Sequence, residues 1–270
     1  MAGIWPGDIR CVVALSIDLD GRASWVQRDP QFAQLPGLMS MGDYGPRVGA
    51  RRLLNLLDEH GIRCTFFVPG SIAEANGELV KEIYARGHEI GNHGYVHEHP
   101  ATLTAAQEID ILERSRAIVH RITGEAPVGY RAPGLNPSER TLRLLAERGY
   151  LYDSSLMDAD TPYVREEGGH RIVEIPTHWE WDDFPFFAFA PAANIRAPIQ
   201  GLEAVYHTWA SGFEGTYRYG GCFALLIHPQ IMGRPGRILM LERLLRHMRS
   251  FPGVAFMRGV DIAKLLLEQK

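Results

Sequence analysis

Apolar positions along the chain follow two alternating patterns: short unbroken runs of strand length, and longer stretches with apolar residues three to four apart. Residues 9–17 are the first unbroken run. Residues 48–60 then place Leu53, Leu54, Leu56 and Leu57 at helical spacing, with Gly61 as the stop. Residues 62–68 predict a strand, 78–86 a helix closed by Gly87, and 88–91 a short strand. Residues 104–122 carry the clearest helix pattern, opened by a Thr104/Gln107 capping box and ended by Gly124. A strand over 128–131 precedes a helix capped by Asn136, with Pro137 at its first position and Gly149 past its end. Strands five and six fall at 150–154 and 172–176, a helix at 202–210 and a buried strand at 223–227. A helix over 237–249, a strand over 254–257 and a helix over 260–268 complete the chain.

About eight strands alternating with helices predict an α/β fold of mostly parallel strands joined by right-handed crossovers. Element order alone fits both a closed barrel and an open sheet. No repeat, low-complexity tract or linker interrupts it, so residues 1–270 read as one domain.

Composition narrows the function. With 28 Lys+Arg against 32 Asp+Glu the net charge is −4, which speaks against a strongly basic nucleic-acid binder, and 46% apolar residues speak against disorder. Cys11, Cys64 and Cys222 each lie in an apolar stretch, an odd count without close spacing, and read as small buried hydrophobes. The N-terminus lacks a basic stretch followed by an apolar one, and the apolar run 184–193 is too short to span a bilayer, so the expectation is a cytoplasmic protein with no membrane partner. The segment Phe184-Pro-Phe-Phe-Ala-Phe189 is too apolar for a free loop; it closes over a pocket or packs against another subunit, and a homo-oligomer is expected.

Chemically useful side chains gather directly after strands: Asp18 and Asp20 after the first, His93 and His97 after the third, Arg131 after the fourth and Asp153 after the fifth. The segment 178–183 follows the sixth and His228 the seventh. In (β/α) barrels that end of the strands builds the active site. Asp18 and Asp20, two apart in an extended segment, point to one side, and a divalent cation on one of them relieves their repulsion and leaves the other as a base. Asp20-Gly21 also fits a plain turn. His93 and His97, spaced i and i+4, lie about 6 Å apart along a helical turn and suit two imidazoles on one ion; the same stretch also fits a polar His-rich loop. Asp20, His93 and His97 together leave coordination positions open for water, which marks a catalytic site, with zinc favoured over nickel, cobalt, manganese or iron. His228 suits a general acid, and Arg131 suits holding a carboxylate base. Trp179, Trp181, Asp182 and Asp183 are expected along a substrate pocket, or alternatively the tryptophans as packing. Roles for Asp153, Glu180, Asp182 and His99 are left open.

Asp18-Leu-Asp20, His93-x-x-x-His97, Arg131-Ala-Pro133-Gly134 and Ile227-His228-Pro229, in this order, resemble the polysaccharide deacetylase (NodB homology) family over residues 11–230. The resemblance implies a distorted (β/α) barrel of seven or eight mostly parallel strands that removes N- or O-acetyl groups with a metal-bound water. It also implies Asp18 as base, Asp20, His93 and His97 as metal ligands, Arg131 as support for Asp18 and His228 as acid. Three features depart from the family pattern: Leu19 between the aspartates, Gly134 directly after Pro133, and Pro229 after His228. They resemble an intracellular branch with peptidoglycan deacetylase-like proteins and cyclic imide hydrolases. The expectation is therefore a metal-dependent hydrolase of non-peptide C–N bonds acting on a glycan or small molecule. A cyclic imide or amide hydrolase is the alternative, and a catalytically silent carbohydrate-binding relative the third reading.

Overall fold

In this computed structural model, residues 4–269 are described. The first half of the chain supplies strands β1 (Cys11–Val13), β2 (Ser16–Asp18), β3 (Thr65–Val68), β4 (Glu89–Asn92) and β5 (Gly129–Tyr130). The second half supplies β6 (Tyr152–Asp153), β7 (Tyr163–Glu167), β8 (His170–Glu174), β9 (Cys222–Phe223), β10 (Leu226–Ile227) and β11 (Val254–Phe256). The α-helices begin with α1 (Ala23–Val26), α2 (Pro36–Tyr44), α3 (Ala50–Glu59), α4 (Gly70–Ala75), α5 (Gly77–Ala85) and α6 (Ala105–Thr123). They continue with α7 (Thr141–Glu147), α8 (Phe184–Phe187), α9 (Leu202–Tyr219), α10 (Pro229–Met232), α11 (Pro235–Arg249) and α12 (Gly259–Glu268).

The apolar run expected as one first strand is divided between two sheets. β1 lies between β11 and β9 in a three-stranded parallel sheet, while β2 joins the eight-stranded sheet β10-β2-β3-β4-β5-β6-β8-β7. The run over 223–227 divides the same way, into β9 and β10. Every pairing is parallel except β7–β8. An isolated parallel bridge between Asp182 and Leu226 ties the segment after β8 back to β10, so the curled sheet meets itself at the carboxyl ends of its strands. This is the distorted (β/α) barrel that the family resemblance implied; the alternating pattern by itself fitted an open sheet as well.

Helix α6 has the Thr104/Gln107 capping box, and Gly124 in the left-handed region ends it. Other boundaries moved for local reasons. The helix expected from Asn136 begins only at Thr141, because Ser138 turns inward: its N–H donates to Thr141 Oγ1 at 2.8 Å and its hydroxyl to the buried Glu108 carboxylate at 3.0 Å. The helix expected over 202–210 continues to Tyr219, ended by left-handed Gly220. The hairpin partner β7 and helices α1, α2 and α4 carry too weak a periodicity to stand out in the sequence. All three cysteines are buried and unpaired, as their apolar surroundings imply. Among the described residues, no helix is long and apolar enough to cross a membrane. The export reading used residues 1–3, which lie outside the described residues.

Candidate active site

Asp18 is the last residue of β2, and its Oδ1 accepts a hydrogen bond from Arg131 Nη1 at 3.0 Å. Arg131 follows β5 and is itself buried among fixed acceptors. It donates to Ser16 Oγ (2.7 Å), to the Ser154 carbonyl (2.9 Å) and to Ser154 Oγ (2.8 Å), and lies 4.3 Å from the Phe67 ring centre. A planar guanidinium gripped on several sides cannot swing away, so Asp18 keeps one oxygen bound and presents the other, Oδ2. Sequence reading missed Ser16 and Ser154. Their only signal is a hydroxyl inside or beside an apolar strand run.

His93 follows β4. Its Nδ1 lies 2.8 Å from the Arg131 carbonyl oxygen, which can only accept, so Nδ1 carries the proton and Nε2 offers a lone pair. That Nε2 is 3.5 Å from Asp20 Oδ1 and 3.6 Å from Asp18 Oδ2. His97 Nε2 is 3.6 Å from Asp20 Oδ2. One ligand atom from each of Asp20, His93 and His97 falls within 4.8 Å of the others. The two imidazoles converge as expected, but not on a helical turn. Residues 93–97 form a loop with Gly94 at φ 71° and His97 at φ 67°. Glu98 holds it by accepting the N–H groups of Tyr95 and Val96, each at 2.9 Å. A non-glycine residue at positive φ costs on the order of 1–3 kcal/mol and collects at functional sites.

His228 follows β10 and faces the same centre, with Nε2 3.6 Å from Asp20 Oδ2. Behind it, Asp183 accepts from the imidazole Nδ1 at 2.7 Å and from the His228 backbone N–H at 2.9 Å. Burial alone lowers an imidazole's proton affinity; here the carboxylates of Asp183, Asp182 and Asp20 outweigh it and hold His228 well above its ordinary 6.5.

The cavity at this centre measures about 70 Å³ and is lined by Asp18, Asp20, His93, His97 and His228, with Trp179 among its outer residues. Two expected pocket residues stand elsewhere. Asp183 is fully buried behind His228 and does not line the cavity, because both its oxygens are engaged with that residue. Trp181 packs its ring 5.1 Å from Phe223, in the packing role weighed for it. Trp179 is 42% exposed. Of the Phe184–Phe189 segment, Phe184 lines the cavity, Phe187 is buried and Phe189 is exposed. Asp153 ends β6 but turns away from the cavity, where Ser155 Oγ donates to it at 2.8 Å. His99 Nδ1 lies 3.3 Å from the Pro133 carbonyl, and its ring is 6.3 Å from that of His97.

The donor set fits a divalent cation. Asp20 Oδ1 is buried without a hydrogen-bond partner. Burial, then repulsion from Asp18, Asp182 and Asp183, pushes the Asp20 carboxyl up to about 8 against the pull of His228. Burial keeps His93 and His97 below the ordinary imidazole value and hence neutral, as ligation requires. If ionised, the four buried carboxylates Asp18, Asp20, Asp182 and Asp183 exceed the charges of Arg131 and protonated His228 by two, the charge of one divalent ion. Asp182, Asp183 and His228 also cluster within 4.8 Å, but hydrogen bonds already occupy Asp183 and His228 Nδ1.

Residues 38–152, which include His93, His97 and Arg131, match the polysaccharide deacetylase family model. The chain is 32% identical to the peptidoglycan deacetylase of Helicobacter pylori (strain ATCC 700392 / 26695), covering 96% of this chain and 97% of that one. The chain belongs to the polysaccharide deacetylase family. A solved structure of a candidate polysaccharide deacetylase from Mycobacterium smegmatis superposes with a TM-score of 0.95 at 37% identity, over 98% of this chain and 93% of that one. The Puue allantoinase has a TM-score of 0.87 at 23% identity, covering 100% of this chain and 94% of that one, and so shares the fold. This family member is accordingly a polysaccharide deacetylase-like hydrolase.

Proposed function

We propose that the chain is a metal-dependent amide hydrolase that removes acetyl groups from N-acetylated amino sugars. One observation carries this reading: Asp20, His93 and His97 converge between an arginine-held Asp18 and an aspartate-held His228. Bound by those three ligands, a divalent ion, zinc foremost, supplies Lewis acidity to a water and to the substrate carbonyl.

The chain's own residues do the rest. Asp18 Oδ2, left free while Arg131 holds Oδ1, takes the proton of the attacking water as its oxygen bonds to the acyl carbon. His228, kept protonated by its carboxylate neighbours, gives the Nε2 proton to the leaving nitrogen as the C–N bond breaks. Acetate and a free amine result. The cavity of about 70 Å³ is small beside the roughly 300–1,000 Å³ of drug-sized ligand sites, which suits entry of an acetamido group ahead of the sugar ring. Exposed Trp179 offers an apolar face for that ring.

The test is acetate release from N-acetylglucosamine oligomers by metal-loaded protein, run beside ring opening of hydantoin and succinimide. Acetate release without ring opening is expected. Ring opening alone replaces the substrate assignment with a cyclic amide, and neither activity sinks the proposal. Asp18→Asn is expected to abolish turnover while metal content measured by elemental analysis stays near one equivalent.

A further inference from the structure

A second cavity, of about 220 Å³, lies beyond the wall of the catalytic one, lined by Trp25, Phe187, Phe189, Gln230, Arg234 and Arg237 among others. The rings of Trp25 and Phe184, 6.1 Å apart, stand at the boundary: Phe184 lines the catalytic cavity and Trp25 this one. Its chemistry is the reverse of the catalytic centre's. No carboxylate lines it, and among the described residues neither Arg234 nor Arg237 has a carboxylate within ion-pair distance.

Both guanidiniums are nonetheless held in place. Arg234 lies 3.6 Å from the centre of the Tyr44 ring and Arg237 4.6 Å from that of Phe187. Arg237 also donates to the Ile231 carbonyl at 3.2 Å.

We propose that this cavity is a binding site for a small amphipathic carboxylate. Two guanidiniums without a carboxylate partner make the polar lining cationic and rich in donors, which suits an anion with several acceptor lone pairs. Phe187, Phe189, Ile199 and Ile231 supply an apolar wall that inorganic phosphate would leave uncovered. Drug-sized ligands occupy roughly 300–1,000 Å³, so this volume suits a shorter branched or aromatic acid. The site is independent of the catalytic assignment, since none of its lining residues takes part in the proposed hydrolysis.

Isothermal titration of the metal-loaded protein with phenylacetate and isovalerate tests it, with acetate and inorganic phosphate as controls. Saturable one-to-one binding of the two larger acids is expected. Arg234→Gln is expected to weaken it at least tenfold with an unchanged melting temperature, while Asp18→Asn binds like the native chain. Absence of saturable binding, equal binding of phosphate, or binding indifferent to Arg234→Gln overturns the proposal. So does self-association in sedimentation that Phe189→Asp abolishes while carboxylates fail to bind, which makes the cavity an interface between copies.

Discussion

Asp183 illustrates how one side chain can govern the site without touching its cavity. It engages both the backbone and the ring of His228, and its charge is the first of the influences that raise the imidazole's proton affinity against burial. Removing that charge lowers the affinity, so the proton is lost at lower pH. Asp183→Asn is therefore expected to cut kcat by about 10²–10⁴, the usual span for a general acid, and to move the alkaline limb of the rate profile to lower pH. An unmoved limb in steady-state assays would leave Asp183 with a merely structural role. The residue types of the proposed centre, Asp18, Asp20, His93, His97, Arg131 and His228, were legible from motif spacing. The partnership of Asp183 was not, because it spans 45 residues of chain and depends on the sheet meeting itself.

At the level of elements, glycine placement sets how closely the helices can approach the site. Gly49, in a π-helical turn (Gly45–Gly49) leading into α3, packs its Cα against the backbone of Pro229, the residue after His228, and an added Cβ there would overlap the Pro229 carbonyl. Gly49→Ala is expected to cost about 1–3 kcal/mol by overpacking and to reduce turnover further by displacing the His228 segment. Denaturant midpoints and kcat measured together check this; a stability loss with full turnover would separate the two. The alternation of strands and helices was readable, since it repeats within a few residues. The division of 9–17 and 223–227 between two sheets was not, because an unbroken apolar run looks the same whichever neighbour it pairs with. The loop form of 93–97 was hidden too, as i, i+4 spacing resembles a helical turn until Gly94 and His97 adopt positive φ.

Across the whole molecule, buried acids make stability depend on pH and on metal. Asp153 and Glu174 lie side by side in the interior; burial pushes Asp153 up to about 6 from an ordinary 3.8, and burial with the Asp153 charge pushes Glu174 well above its ordinary value. Both are raised, so their contribution is full below the unfolded values near 4 and is lost as pH rises through and beyond 6. Glu174→Gln keeps the acceptor for the Ser155 and Leu156 N–H groups and removes one charge, so its melting temperature relative to the native chain is expected to climb between pH 5 and 8. A parallel pair of curves would contradict this. Chelation is expected to lower the melting temperature by returning the repulsion among Asp18, Asp20 and Asp182, with recovery on adding zinc or cobalt, read by calorimetry. The sequence by itself determined the order of elements, the buried runs and the kinds of side chain offered at strand ends, because periodicity and residue chemistry are local. Only the tertiary structure decided which of those ends meet. Arg131 reaches Asp18 across 113 residues, and that contact exists because parallel strands bring their carboxyl ends to one rim.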